Sequence, residues 1–246
     1  GAARGGAKVI YPVMATFLQR AYDQLEQDWA MDNSPAVMPV MGTGIRALTD
    51  LTHLGFWDIP MITLIPEIVY LAPTNVEEYF AMMDWALNQN EHKVTIRVPT
   101  YSYEHSKGEV DTDYSDLNKF KVVKEGKDVA VIAAGDFFVK GESVVDALAE
   151  KGINATLINP RFVSGVDTEL LNSLRQNHKV VVVLEDGSKE GGFGGRIAQA
   201  VGATGMKCLT YGLEKKFVDR YNPEELEKAY RLTVPQIVED TLNALK

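Results

Sequence analysis

Short apolar runs, unbroken by polar positions and too brief for helices, alternate with amphipathic stretches along most of this chain. That is the pattern of buried parallel strands joined by crossover helices. The first run is Lys8-Val9-Ile10-Tyr11. After Thr16, Leu18, Tyr22, Leu25 and Trp29 recur at helical spacing, i, i+4, i+7 and i+11, which predicts an amphipathic helix with that stripe against a core. Asn33-Ser34-Pro35 ends it, and residues 36–41 form the next buried strand. Gly42-Thr43-Gly44 follows directly, and the stretch from there to Pro60 lacks periodicity, so it is expected to be a functional loop and not a linker. Residues 65–73 and 94–98 supply further strands. Between them Asn75 caps a helix running from Val76 to Asn88, with Tyr79, Met82, Met83 and Leu87 as its apolar face.

From Thr100 to Asn118 the apolar pattern gives way to tyrosines, serines, acids and Gly108, the composition of a surface linker. Strand patterns resume at residues 128–135, 155–159, 180–184 and 206–211. Helical patterns lie at 140–151, at 167–176 with Asp167 as its cap, from the glycine run 191–195 to Val201, and at 223–230 and 234–245. The expected fold is α/β in two domains, each a mostly parallel sheet covered by helices: residues 1–105, a linker at 106–120, and residues 121–246.

Composition narrows the function classes. With 46% hydrophobic and 24% charged residues, and no apolar run near the roughly 20 residues of a membrane span, the chain reads as globular with no membrane segment. A net charge of −9 without a lysine or arginine cluster argues against nucleic acid as a partner. The single cysteine, Cys208, has no disulfide partner within the chain and reads as an inert buried thiol. Together with the lack of a signal-peptide pattern after Gly1, this gives a reducing, cytoplasmic setting as the expectation.

Candidate chemistry is sparse. His92, His105 and His178 lie in helix-end or polar surroundings. His53 sits in a glycine-flanked loop after a strand, where open α/β sheets build their sites; it is either catalytic or a loop histidine satisfied locally. Phe17 and Arg20, three apart, share the first turn of one helix. Either the ring stacks on a planar heterocycle while the guanidinium meets an anion, or Phe17 is core and Arg20 is solvated. Gly191-Gly192-Phe193-Gly194-Gly195 fits neither dinucleotide nor P-loop spacing and reads as a close-packing turn. Glu185-Asp186, at a strand end, are either catalytic carboxylates or capping and interface residues. No metal-ligand spacing and no G-x-S-x-G elbow occurs.

The decapeptide Ala15-Thr16-Phe17-Leu18-Gln19-Arg20-Ala21-Tyr22-Asp23-Gln24 closely resembles the Ser-Thr-Phe-Leu-Gln-Arg-Ala-Tyr-Asp-Gln signature of the 1-deoxy-D-xylulose-5-phosphate synthase family, thiamine-diphosphate enzymes of the transketolase-like superfamily. The likeness continues colinearly through Thr52-His53-Leu54-Gly55-Phe56-Trp57-Asp58, Ile65-Pro66-Glu67, Ala72-Pro73, Asn159-Pro160-Arg161-Phe162-Val163 and Gly191-Gly192-Phe193-Gly194.

The resemblance implies that residues 1–105 are a pyrimidine-binding domain, incomplete at its N-terminus, and that residues 121–246 are the C-terminal domain found at the family's dimer interface. It implies a homodimer using thiamine diphosphate and Mg2+. The metal ligands, the diphosphate-binding domain and the activating glutamate would lie outside this chain, upstream or on a partner chain. Phe17 and Arg20 would bind the cofactor, His53 would act on the acceptor oxygen, and Arg97 would bind substrate. The implied reaction joins a pyruvate-derived two-carbon unit to an aldehyde, glyceraldehyde 3-phosphate in the family, for isoprenoid and thiamine biosynthesis. Alternatives are a transketolase-like or 2-oxoacid dehydrogenase subunit with another acceptor, or a non-catalytic dimer scaffold. The chain also departs from the family pattern. The family's Asp-Arg-Ala-Gly reads Met41-Gly42-Thr43-Gly44 and its Arg-Tyr-Pro-Arg reads Arg97-Val98-Pro99-Thr100, which removes bidentate phosphate clamps and leaves Arg46 as a possible substitute.

Overall fold

Among the described residues, two five-stranded sheets organise the chain, in a computed structural model that describes residues 1–32, 34–98 and 104–246. Asn33 of the expected helix stop, Pro99 and Thr100 of the arginine motif, and residues 101–103 of the polar stretch lie outside the described residues.

In the first sheet β1 (Val9–Ile10) and β2 (Val13–Met14) both pair with β3 (Ala36–Met41). β3 pairs with β5 (Lys93–Arg97), and β5 with β4 (Ile68–Leu71), all in parallel. The helix predicted after Thr16 is present but not uniform. α1 (Ala15–Leu18) passes through a tight turn at Gln19–Ala21 into α2 (Tyr22–Gln24), then into an expanded π-type stretch, Leu25–Met31. The wider turn keeps Leu25, Trp29 and Ala30 facing the core. α3 (Asp58–Thr63) starts inside the stretch expected to be loop, with Ile59 and Ile62 buried. α4 (Val76–Asn88) begins where expected: the Asn75 side chain accepts the Glu78 N–H at 2.8 Å. Its inner face carries Met82 and Ala86, whereas Tyr79, Met83 and Leu87 pack at the margin.

The second sheet runs β10–β9–β7–β8–β6. β7 (Asp128–Ala133), β8 (Thr156–Asn159), β9 (His178–Ser188) and β10 (Lys207–Leu213) are parallel, as their continuous apolar runs require. β6 (Lys121–Lys124), antiparallel to β8, was not legible in the sequence, because a half-exposed Lys-Val-Val-Lys edge strand carries almost no periodic signal. The helices of this half are α5 (Phe138–Glu150), α6 (Thr168–Leu174), α7 (Phe193–Val201), α8 (Pro223–Ala229) and α9 (Val234–Leu245). Asp167 caps α6 by accepting the Leu170 N–H at 3.0 Å.

The polar stretch expected to cross the surface as a linker is mostly exposed over residues 104–113, and toward its end it is pinned by buried aromatics. Tyr114 is fully buried, edge-on to Trp85 at 5.9 Å and to Phe162 at 6.4 Å, and Phe120 lies against Phe193. Aromatic anchors set among serines and acids hold the segment down despite its hydrophilic composition. The two halves also share cores. Ile45, Leu54 and Phe56, from the loop after β3, are buried in one cluster with Val129, Val131, Leu184 and Leu213 of the second sheet. Among the described residues no helix is long and apolar enough to cross a membrane.

Candidate functional site

β2 and β3 end side by side, Met14 opposite Met41, and α1 starts at the next residue. This places Thr16, Phe17 and Arg20 at the carboxyl end of a parallel sheet, where α/β folds present ligands. The loop after β3 returns to the same edge. Its base is closed by Gly44 N–H donating to Gly55 O at 2.9 Å. Both glycines are required by close approach: a Cβ on Gly55 would overlap the Gly42 carbonyl, and one on Gly44, whose φ is +78°, would overlap the Asp186 carboxylate.

The tip of this loop carries His53 to Phe17. Their ring centroids are 5.7 Å apart at 76°, an edge contact, and Thr16 Oγ1 donates to Thr52 O at 3.0 Å. The Thr52 hydroxyl pairs with His53 Nδ1 at 2.8 Å, which leaves Nε2 without a partner among the described residues. Phe17 is 45% exposed, so it is not the core residue that its helical spacing allowed. Arg20 is exposed and has no ion pair or hydrogen bond among the described residues. Phe17 and His53 therefore share an open shelf, an exposed aromatic face beside a half-buried imidazole with one nitrogen unpartnered among the described residues, and Arg20 is exposed in the turn that follows α1.

Arg97 is elsewhere. Expected to bind substrate, it is instead buried between the two sheets. Its Nε and Nη2 donate to Asp58 at 2.8 and 3.2 Å, its Nη1 pairs with Asp186, and Tyr70 OH donates to Asp58 at 2.6 Å. Burial alone would lower the guanidinium pKa, but the charges of Asp186 and Asp58 outweigh it and hold Arg97 well above its ordinary value. With both carboxylates engaged, it ties β5 to α3 and β9. Arg46, the possible substitute, is paired with Glu227 of α8 at 3.1 Å, and Lys140 meets the same carboxylate at 2.9 Å. These three groups and Asp136 and Asp186 line a cavity of about 490 Å³ between the halves.

The alternatives left open for Glu185 and Asp186 are resolved by their partners. Glu185 caps α7, accepting the N–H groups of Phe193 at 2.9 Å and Gly194 at 2.7 Å, and Asp186 pairs with Arg97. The glycine run is a close-packing turn, since a Cβ on Gly192 would overlap Ser188 O and the Glu185 carboxylate. Sequence reasoning missed Asp58 and Tyr70 as members of the buried network, because a lone acid at a helix start and a strand tyrosine signal nothing until the sheets are brought together. Among the described residues no group of three or more His, Cys, Asp or Glu side chains is arranged to hold a metal.

Burial pushes the Glu185 carboxyl up to about 7 against the opposing pull of its two backbone donors. Burial, with the Asp186 charge, likewise raises Asp136 to about 7. Unfolded, Glu185 loses its proton near 4.5. Between these values the folded chain binds more protons than the unfolded one, so stability falls as pH rises through this window, by about 3 kcal/mol for Glu185 alone. Urea unfolding at pH 5 and pH 7.5 should show the decline, and Glu185→Gln should make it shallower by the Glu185 share, leaving the share of Asp136. An unchanged slope in that variant would locate the dependence elsewhere.

Residues 1–105 match the family described as transketolase, pyrimidine binding domain, and residues 118–237 match transketolase, C-terminal domain. Among curated proteins the chain is similar to the 1-deoxy-D-xylulose-5-phosphate synthase of Clostridium acetobutylicum, 33% identical over 239 residues, covering 96% of this chain and 38% of that protein. It is similar as well to the enzyme of the same name from Clostridium tetani, 31% identical over 252 residues, covering 100% of this chain and 40% of that protein. The chain thus spans about two fifths of the length of these curated relatives. Among solved structures it shares its fold with one titled "Split gene transketolase, inactive beta4 tetramer", at a TM-score of 0.84 and 20% identity, covering 99% of this chain and 78% of that one.

Proposed function

Because the chain belongs to the transketolase family through both its pyrimidine-binding and its C-terminal halves, we propose that it forms part of a thiamine-diphosphate-dependent transferase of the 1-deoxy-D-xylulose-5-phosphate synthase type. The observation that carries this reading is the meeting of Phe17 and His53 on the open end of the first sheet. A half-exposed ring at the carboxyl end of a parallel sheet, edge-on to a loop histidine, fits a planar heterocycle laid against it. Thiamine diphosphate, when bound, supplies the electron sink that lets a 2-oxoacid lose carbon dioxide and pass on a two-carbon unit.

The chain's own residues have defined parts in this reading. Phe17 carries the face of the pyrimidine ring, and Arg20, unpaired, offers a cation beside it. His53 is oriented by Thr52 through Nδ1, and its Nε2 holds or delivers a proton at the acceptor oxygen. The Arg97 network holds the second sheet against the first and so fixes the edge on which the shelf is built. The shelf is open on one side, which supports completion of the site by a diphosphate-binding domain that brings the Mg2+ ligands, either upstream or on a partner chain. The assembly in this reading is a homodimer, as the resemblance implies.

A second point concerns the acceptor. Gly42 stands where the resemblance places an arginine, and Arg97 and Arg46 are both occupied by carboxylates. These observations favour an aldehyde that does not depend on a bidentate phosphate clamp. The test is to assemble the chain with its diphosphate-binding part, thiamine diphosphate and Mg2+, and to follow pyruvate consumption against a panel of phosphorylated and unphosphorylated aldehydes. Cofactor-dependent consumption is expected, fastest with an unphosphorylated acceptor. An assembly that consumes no 2-oxoacid with any acceptor would favour the non-catalytic scaffold.

A further inference from the structure

The loop bearing His53 is held in two different ways along its length. Its base is fixed by burial: Ile45, Leu54 and Phe56 lie in the core of the second half, and Ser188 N–H donates to Phe56 O at 2.8 Å. Its tip, residues 49–53, is largely exposed and has no such anchorage. Among the described residues, a segment of the second half reaches it. Asp219 Oδ1 accepts the Leu51 N–H at 3.1 Å, and Arg220 N–H donates to Thr49 O at 2.8 Å. Tyr221 OH donates to Ile45 O at 2.7 Å, with its ring 5.7 Å from Phe56, and Phe217 stands edge-on to Trp57 at 5.5 Å.

Two features mark this contact as more than incidental packing. All three hydrogen bonds end on backbone atoms of the loop, so they fix the path of its chain and not the position of one side chain. Arg220 also adopts φ of +46°, the left-handed region that a side chain of this kind rarely enters, at the residue whose N–H meets Thr49. The strained residue and the bond it makes coincide.

We propose that residues 217–221 form a positioning strap by which the C-terminal half sets the His53 loop, so that this half takes part in the reaction without touching substrate. The proposal rests on the functional reading above for His53, while the strap itself is measurable without turnover. Asp219→Ala removes the acceptor for Leu51. In the assembled protein, backbone hydrogen exchange over residues 49–53 is expected to quicken by about twofold to tenfold, the range that corresponds to one net hydrogen bond. The kcat should fall by a similar factor with the KM for pyruvate and the melting temperature unchanged. Asp219→Asn keeps the accepting oxygen and should restore both readings. Tyr221→Phe, which keeps the ring, should loosen the loop near Ile45, and Lys215→Ala, outside the contact, should change neither. Unaltered exchange at 49–53 in Asp219→Ala would overturn the strap. Faster exchange with an unaltered kcat would overturn its positioning role. A wild-type assembly that consumes no 2-oxoacid would count against the functional reading, and the exchange result would still decide the strap.

Discussion

Replacing Arg97 by alanine is expected to cost about 3–5 kcal/mol of stability, because it strands Asp58 and Asp186 as buried carboxylates with no counter-charge. The two acids come from different halves, α3 and β9, so the loss should be felt as a loosening of one sheet against the other. Tyr70, which donates to Asp58 from β4, can satisfy one oxygen but supplies no positive charge. Neutralising an acid in the same background, as in Arg97→Ala with Asp186→Asn, should recover part of the loss. Urea titration of the single and double variants measures it. The opposite pattern, full stability with a raised KM for a phosphorylated acceptor, would return Arg97 to the substrate-binding role that its motif suggested.

His53→Ala carries the other large effect. In the assembled enzyme kcat is expected to fall by about 10²–10⁴, the usual contribution of a positioned acid or base. Stability should change little, since among the described residues the imidazole is held by the Thr52 hydroxyl and the edge of Phe17. Cofactor affinity should also be retained, because Phe17 and Arg20 are untouched. Measuring kcat alongside cofactor binding separates these effects. An unchanged kcat would remove His53 from the mechanism.

Much of the framework was legible before folding. Continuous apolar runs such as Val180-Val181-Val182-Val183-Leu184 can be satisfied only by burial on both faces, and they form central parallel strands. Asn75 and Asp167 capped the helices they precede, because a short side-chain acceptor placed before an amphipathic run has one local use. The elements that escaped have weak local signals: β6 at a sheet edge, α3 within an aperiodic loop, and Tyr114, whose burial depends on Trp85 and Phe162 from remote parts of the chain.

The site divides along the same line. The sequence by itself determined the α/β class, the helix caps and strands, and through the signature around Phe17 and Arg20 the family likeness, since each depends on residues close together in the chain. Tertiary structure alone decided that Phe17 lies open beside His53, that Arg97 is locked between Asp58 and Asp186, and that a strand-following segment at 217–221 reaches the histidine loop. Those outcomes depend on how two sheets meet. A guanidinium carries the same charge whether it faces solvent or two carboxylates, and only the packing of the halves selects between them.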